Sequence, residues 1–375
     1  MNAREKEKFE RIDEKLKPIA RKLLKLQLSE IPADPEVNKW YRYRPEGFYC
    51  ASGEPYYGLY KVGKESKLMI IFGGGGVSID DFTAARPNSI YHPEPLTFYF
   101  NDVFMLADYM TYNGLPVVRD DNPFKDWSMI LVPYTTGDFH TGTRIHQYHD
   151  DELGDGIVYH HGHINLHMLI DGFRKYLKNP EKILVTGFSA GGFATALLTD
   201  DILDCYPDCR DATAVVDSAL LLYDGWHDTA KNQWGSPKAI YERLVSNNLT
   251  LDSLLALHKK RPEVKILFIS STKDAALALY QSFIDRKEMA VTAEDGEKYY
   301  RALQQTCDTL LKQIPAIGIY LFDDVVKETP YVTKHTIILD PLSYSMKSDG
   351  KNVFEWMYES ANGNVEKLGM KLLEK

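Results

Sequence analysis

Between residues 3 and 28 apolar side chains recur every three or four positions, at Phe9, Ile12, Leu16, Ile19, Leu23, Leu24 and Leu26, with charged residues between them. That period is one stripe of an α-helix. It predicts an amphipathic helix within 1–30, laid by its apolar side against the body of the protein. Beyond it the pattern changes. Short apolar runs at 56–60, 67–72, 129–133, 183–186, 212–216, 264–271 and 314–322 read as strands, the first two joined by a Gly-Lys turn. Helix-period segments alternate with them: one marked by Ile164, Met168, Leu169, Phe173 and Leu177 and ending at Asn179-Pro180, one over 191–203, two within 237–258, more through about 312, and a last one over 351–359. Strands that are apolar along their length are covered on both faces. The alternation therefore predicts an α/β architecture, a mostly parallel sheet with helices on both sides. No internal repeat or low-complexity linker divides the chain, so residues 31–375 are read as a single domain, with a helical insertion around 275–313.

Composition narrows the function classes. Of 375 residues, 44% are hydrophobic and 26% charged, which is ample for a folded core. Asp and Glu (53) outnumber Lys and Arg (44), a net charge of −9 that argues against a nucleic-acid partner. No run of eighteen apolar residues occurs, so no membrane span is expected. The first residues lack the apolar core and small-residue cleavage site of a secretory signal. The four cysteines, Cys50, Cys205, Cys209 and Cys307, are too sparse for a disulfide framework and form no C-x-x-C knuckle. A reducing, cytoplasmic setting is the expectation.

The chemistry begins at Gly187-Phe-Ser189-Ala-Gly191, a G-x-S-x-G between an apolar strand and an Ala/Leu-rich helix. That strand–turn–helix context is what a nucleophile elbow in an α/β-hydrolase-like fold requires. A phosphate-binding turn would need the Gly-Lys-Ser/Thr of a P-loop or the Rossmann spacing, and neither is present. A nucleophilic serine needs two N–H groups aimed at the developing oxyanion. One comes from the residue after the serine, Ala190. The other comes from a glycine-rich loop after an early strand, and Phe72-Gly-Gly-Gly-Gly76 supplies Gly74 or Gly75. Three histidines follow Ser189: His227, His258 and His335. His335, after the last strand of the central series, stands where the base of this fold belongs. Asp274, just past the strand at 264–271, is the candidate acid, with Asp217 and Asp340 as competitors.

Seven of the eleven histidines lie between 140 and 167. His161, His163 and His167 have spacings that can bind a metal, but no H-E-x-x-H is present. The stretch is read as a polar loop shaping the cleft, with no metal and no cofactor.

These blocks together resemble the pectin acetylesterase and Notum family of carboxylesterases. Phe48-Tyr-Cys-Ala-Ser-Gly-Glu-Pro-Tyr57 is similar to the family's C-x-D-G-x-P-Y hairpin. Phe72-Gly-Gly-Gly-Gly76 is similar to its oxyanion strand. Asp121–Trp127, Val132-Pro-Tyr-Thr-Thr-Gly-Asp138 and Thr141-Gly142 resemble its central signature, and His160-His161-Gly162 with Asn165 its H-x-G-x-x-N. Gly187–Gly192 and Val216-Asp-Ser218 follow in the family's order, and the likeness spans roughly 45–360. The resemblance implies an α/β-hydrolase-type fold and a triad of Ser189, Asp274 and His335. Secreted members place cysteines where this chain has Val77 or Ser78, and Thr135. An acidic chain is also an unpromising partner for polyanionic pectin. The expected function is a serine carboxylic-ester hydrolase, deacetylating a small or carbohydrate ester. Two alternatives stand beside it: a non-catalytic binding protein on a hydrolase scaffold, and a metal-dependent deacetylase using the histidines of 140–167.

Overall fold

The structure, a computed structural model, describes residues 3–15, 17–89, 95–103 and 106–374. In chain order its strands are β1 (Trp40–Tyr43), β2 (Gly58–Lys61), β3 (Lys67–Phe72), β4 (Pro87–Asn88), β5 (Tyr99–Phe100), β6 (Ser128–Val132), β7 (Arg144–Asp150), β8 (Gly154–His160), β9 (Lys182–Phe188), β10 (Asp211–Asp217), β11 (Lys265–Ser271), β12 (Gly318–Phe322) and β13 (Lys367–Leu368). Nine form one sheet in the order β1-β2-β6-β3-β9-β10-β11-β12-β13. β2 pairs antiparallel with β1 and β6, and every other pairing in this sheet is parallel. From Ile183 to Gly187 and from Ala212 to Asp217 every residue is buried. Successive side chains point to opposite faces of a strand, so both faces of the sheet centre are covered.

This topology puts a crevice in a defined place. From β3 the chain goes to β6 on one side, then returns to β9 on the other. Loops leaving the carboxyl ends of β3 and β9 therefore diverge, as at the switch points where open α/β sheets bind ligands. The helix Ala190–Asp204 follows β9 without a linker.

The strands expected at 56–60 and 67–72 are present but do not pair. β6 lies between them. Gly63 sits hard against the chain entering β6, where an added Cβ would meet Asp126 O at 2.2 Å, and Lys64 N–H donates to the same carbonyl at 2.8 Å. The Gly-Lys turn thus spans the width of a strand.

Two expectations are corrected. The single N-terminal helix is two helices, Ala3–Arg11 and Lys17–Leu23, the second continuing into a 3₁₀ turn at Leu24–Leu26. Asp13 takes the Lys15 N–H on its carboxylate at 2.9 Å, a local bond that competes with helix. Pro18 cannot donate within a helix but suits its first turn. Phe9, Ile12 and Ala20 still pack together; Leu16 lies outside the described residues. The second correction concerns 140–167. Most of it is a regular hairpin, β7 against β8, in unbroken register from Arg144↔His160 to Asp150↔Gly154. Its alternation was masked because His, Gln and Tyr occupy the alternating positions.

The hairpin is anchored near its turn. Arg86 donates to Asp150 at 2.6 and 3.1 Å and to Glu152 at 2.9 Å. The Arg86 hydrogen bond draws the Asp150 carboxyl down from 3.8 to about 2. A depressed carboxyl contributes stability that is present above its unfolded value and lost as pH falls through its folded one. Asp150→Asn should therefore lower the melting temperature at neutral pH. The deficit should shrink between pH 3.8 and about 2. Thermal unfolding followed by circular dichroism across that window checks this, and a deficit unchanged at the acid end would contradict it.

Candidate active site

Ser189 joins β9 to its helix with φ 55 and ψ −124, backbone angles rare for a residue with a Cβ. The neighbouring glycines are required by close approach. A Cβ on Gly187 would lie 2.3 Å from Gly191 O, one on Gly191 2.1 Å from Phe72 O, and one on Gly192 2.4 Å from Asp217 O. The elbow is therefore wedged between the ends of β3 and β10.

Gly74 lies against the serine itself: an added Cβ would stand 2.8 Å from Ser189 Cβ and 2.6 Å from Phe188 O. The first amides of a helix have no intrahelical acceptor, and Ala190 opens one. Among the described residues, the N–H groups of Gly74, Gly75 and Ala190 donate to no protein acceptor. The glycine loop is held from behind by His140, whose Nε2 lies 3.0 Å from Gly73 O. A carbonyl only accepts, so that nitrogen carries the proton. Burial pushes His140 down to about 4, against the opposing Gly73 bond and Asp138 charge, so the ring is neutral at physiological pH.

His335 and Asp274 meet across two loops. His335 Nδ1 is 2.8 Å from both carboxylate oxygens of Asp274, whose side chain has no solvent exposure. Asp274 also caps the helix Ala275–Arg286, accepting Leu277 N–H at 3.0 Å. The two loops are bonded along their backbones: Thr333 N–H to Lys273 O and Ala275 N–H to Thr333 O, both at 2.9 Å. Burial pulls the His335 imidazole down, but the charge and hydrogen bond of Asp274, with Asp217 adding, carry it above its ordinary 6.5.

The competing acids do other work. Asp217 is fully buried and accepts the N–H groups of Ile337 and Ile338 at 2.9 and 3.0 Å, and the Ser218 hydroxyl at 3.0 Å. Burial outweighs these bonds and raises it to about 6. Its own carbonyl accepts Ser189 N–H at 3.0 Å. Asp340 caps the short 3₁₀ turn Pro341–Tyr344 through Leu342 N–H at 2.7 Å. His227 pairs with its neighbour Asp228 at 3.1 Å.

Ser189, His335 and Gly74–Gly76 open onto one cleft of about 310 Å³, lined also by Phe98, Phe100, Ala276 and Tyr280. No residue from 140 to 167 lines it, so the histidine-rich stretch is not a polar loop at the cleft surface and bears on it only from behind, through His140. One residue that sequence reasoning passed over organises the stretch beneath: Asp138. Its carboxylate gathers Thr136 Oγ1 (2.6 Å) and the N–H groups of His140 (2.9 Å), Gly142 (3.1 Å) and Gly162 (2.8 Å). The available signal was an aspartate set among Thr and Gly positions, a setting that favours side-chain-to-backbone bonds.

Residues 113–260, less than half of the chain, match the family model described as Pectinacetylesterase. The class this defines is that of acetylesterases, hydrolases acting on ester bonds. Over these residues the chain is similar to the pectin acetylesterase family. The match takes in β6 through β10 and the Ser189 elbow. No curated protein gives a significant match.

The packing around Gly191 yields a test. Gly191→Ala places a methyl against the fixed carbonyl of Phe72. Overpacking of this kind costs about 1–3 kcal/mol. Urea unfolding should show a lower midpoint with an unchanged slope, and a variant as stable as the parent would contradict the packing described.

Proposed function

We propose that the chain is a serine carboxylic-ester hydrolase of α/β-hydrolase type, working through Ser189, His335 and Asp274. The observation that carries this reading is that a serine at φ 55 and a histidine bonded to a buried aspartate open onto the same glycine-rimmed cleft. With Nδ1 engaged by Asp274, the Nε2 of His335 is the nitrogen left for the cleft. It takes the hydroxyl proton as Ser189 Oγ attacks the ester carbonyl carbon. Asp274 fixes the tautomer and stabilises the imidazolium. The N–H of Ala190 with that of Gly74 or Gly75 receives the oxyanion. His335 returns its proton to the leaving alcohol. Water then attacks the acyl-enzyme, with the same histidine as base, and releases the acid and free Ser189.

The cleft supports a small acyl group. Phe100 crowds Gly75, where an added Cβ would come 2.4 Å from its ring, and the Tyr280 hydroxyl is fastened to Phe98 O at 2.7 Å. An acetyl ester of a small or carbohydrate alcohol is the substrate class we infer. This chemistry needs no cofactor.

Ser189→Ala should fold normally and lose p-nitrophenyl acetate hydrolysis by a factor on the order of 10³ or more. Comparable turnover in the folded variant would sink the mechanism.

Because His335 must be neutral to act as base, kcat/KM should rise with pH through an inflection above 6.5. Asp274→Asn should move that inflection down, since an amide no longer favours the imidazolium, and should cut turnover by up to about 10⁴-fold. Asp340→Asn should do neither. Near-normal turnover in Asp274→Asn together with a severe loss in Asp340→Asn would reassign the acid.

A further inference from the structure

Three side chains outside the cleft meet in a way the ester chemistry does not use. His163 and His167 lie one turn apart on the helix Gly162–Phe173, where a spacing of four puts both imidazoles on one face. Asp201 comes from the helix Ala190–Asp204. The two Nε2 atoms are 3.2 Å apart, and Asp201 Oδ2 is 2.7 Å from that of His167 and 3.3 Å from that of His163. All three ligand atoms lie within 4.8 Å of one another, and each residue is only half-buried. Two imidazole lone pairs at this distance repel unless a proton or a cation lies between them. Among the described residues Asp201 has no Lys or Arg partner; its ion pairs are these two histidines.

We propose that His163, His167 and Asp201 bind a late first-row divalent cation of the zinc type. Donors about 2.0–2.1 Å from a tetrahedral zinc are separated by roughly 3.3–3.4 Å. Two of the three separations are already near that, and the third, 2.7 Å, needs to open by roughly 0.6–0.7 Å. Two imidazoles and one carboxylate suit zinc and its neighbours rather than calcium or magnesium, which prefer oxygen. The other nitrogen of His167 is also engaged: Nδ1 lies 3.7 Å from Cys205 Sγ, an outer partner of the kind that orients a ligating ring. The partial exposure of all three side chains leaves a fourth position for water.

The ion has no part in the ester chemistry. Asp201 sits about three turns, roughly 17 Å of axial rise, beyond Ala190 on the helix that begins at the elbow. It joins two helices, one entered from β8 and one from β9, so its effect is on stability.

The test uses the full chain stripped with chelator and dialysed, then titrated with zinc chloride alone by calorimetry, with thermal unfolding in parallel. One equivalent should bind and the melting temperature should rise. Asp201→Asn, which preserves shape, and His167→Ala should each weaken that binding by about 100-fold or more and abolish the thermal shift. Hydrolysis of p-nitrophenyl acetate at a temperature where both forms are folded should be the same with and without the metal. Failure of the parent chain to bind zinc, or equal binding in folded Asp201→Asn, would overturn the site. Activity lost on chelation and restored by zinc would overturn its separation from the ester chemistry. A failed Ser189 mechanism would leave the calorimetric result untouched.

Discussion

Asp217 is the residue on which the geometry of the cleft turns. Its main-chain carbonyl takes the Ser189 N–H, and its side chain takes the N–H groups of Ile337 and Ile338, two and three positions beyond His335. One residue at the tip of β10 therefore ties the serine's backbone and the histidine's loop to the same sheet edge. The cost is a buried carboxylate with no Lys or Arg partner among the described residues, which burial raises to about 6 despite three donors. A buried anion is tolerable only when its hydrogen bonds are met, and those bonds are the ones that locate the histidine loop. Its influence on any reaction at the serine is thus one of position.

The same logic repeats around the crevice. Asp274 caps a helix while holding His335, and Asp138 collects four donors beneath the glycine loop. Each aspartate satisfies main-chain groups that would otherwise lie buried and unpaired. His140, kept neutral by burial, steadies the carbonyl of Gly73. Among the described residues the amides of Gly74, Gly75 and Ala190 are left unbonded inside this frame, and preorganised donors are what charge development in a transition state needs.

Much of this was legible in the sequence because it is local. Apolar runs gave the parallel strands, and the glycines around Ser189 announced a turn between strand and helix. What was not legible depended on distant neighbours. The pairing of β2 with β6 rather than β3 is set by how Gly63 fits against Asp126, far along the chain. The hairpin β7–β8 hid because its alternation runs through histidines and tyrosines, which read as polar loop. The break in the first helical segment comes from Asp13 and Pro18, whose local effects leave the apolar stripe of the sequence unbroken. Asp138 stood in a recognisable signature, but nothing there assigned it a role. Three of its four donors are local, and the fourth arrives only after the chain has folded back at Gly162.

The glycine contacts also bear on how such a protein can change over generations. At Gly74, Gly187, Gly191 and Gly192 a single methyl meets main-chain atoms within 2.6 Å, and main chain cannot step aside as a flexible side chain can. The elbow and its anion cradle are thereby closed to stepwise exploration. Asn88, Thr97, Phe100, Ala276 and Tyr280 border the same cleft with side chains. Variation in what the cleft accepts would arise there, over an elbow whose shape is fixed by atoms common to every residue.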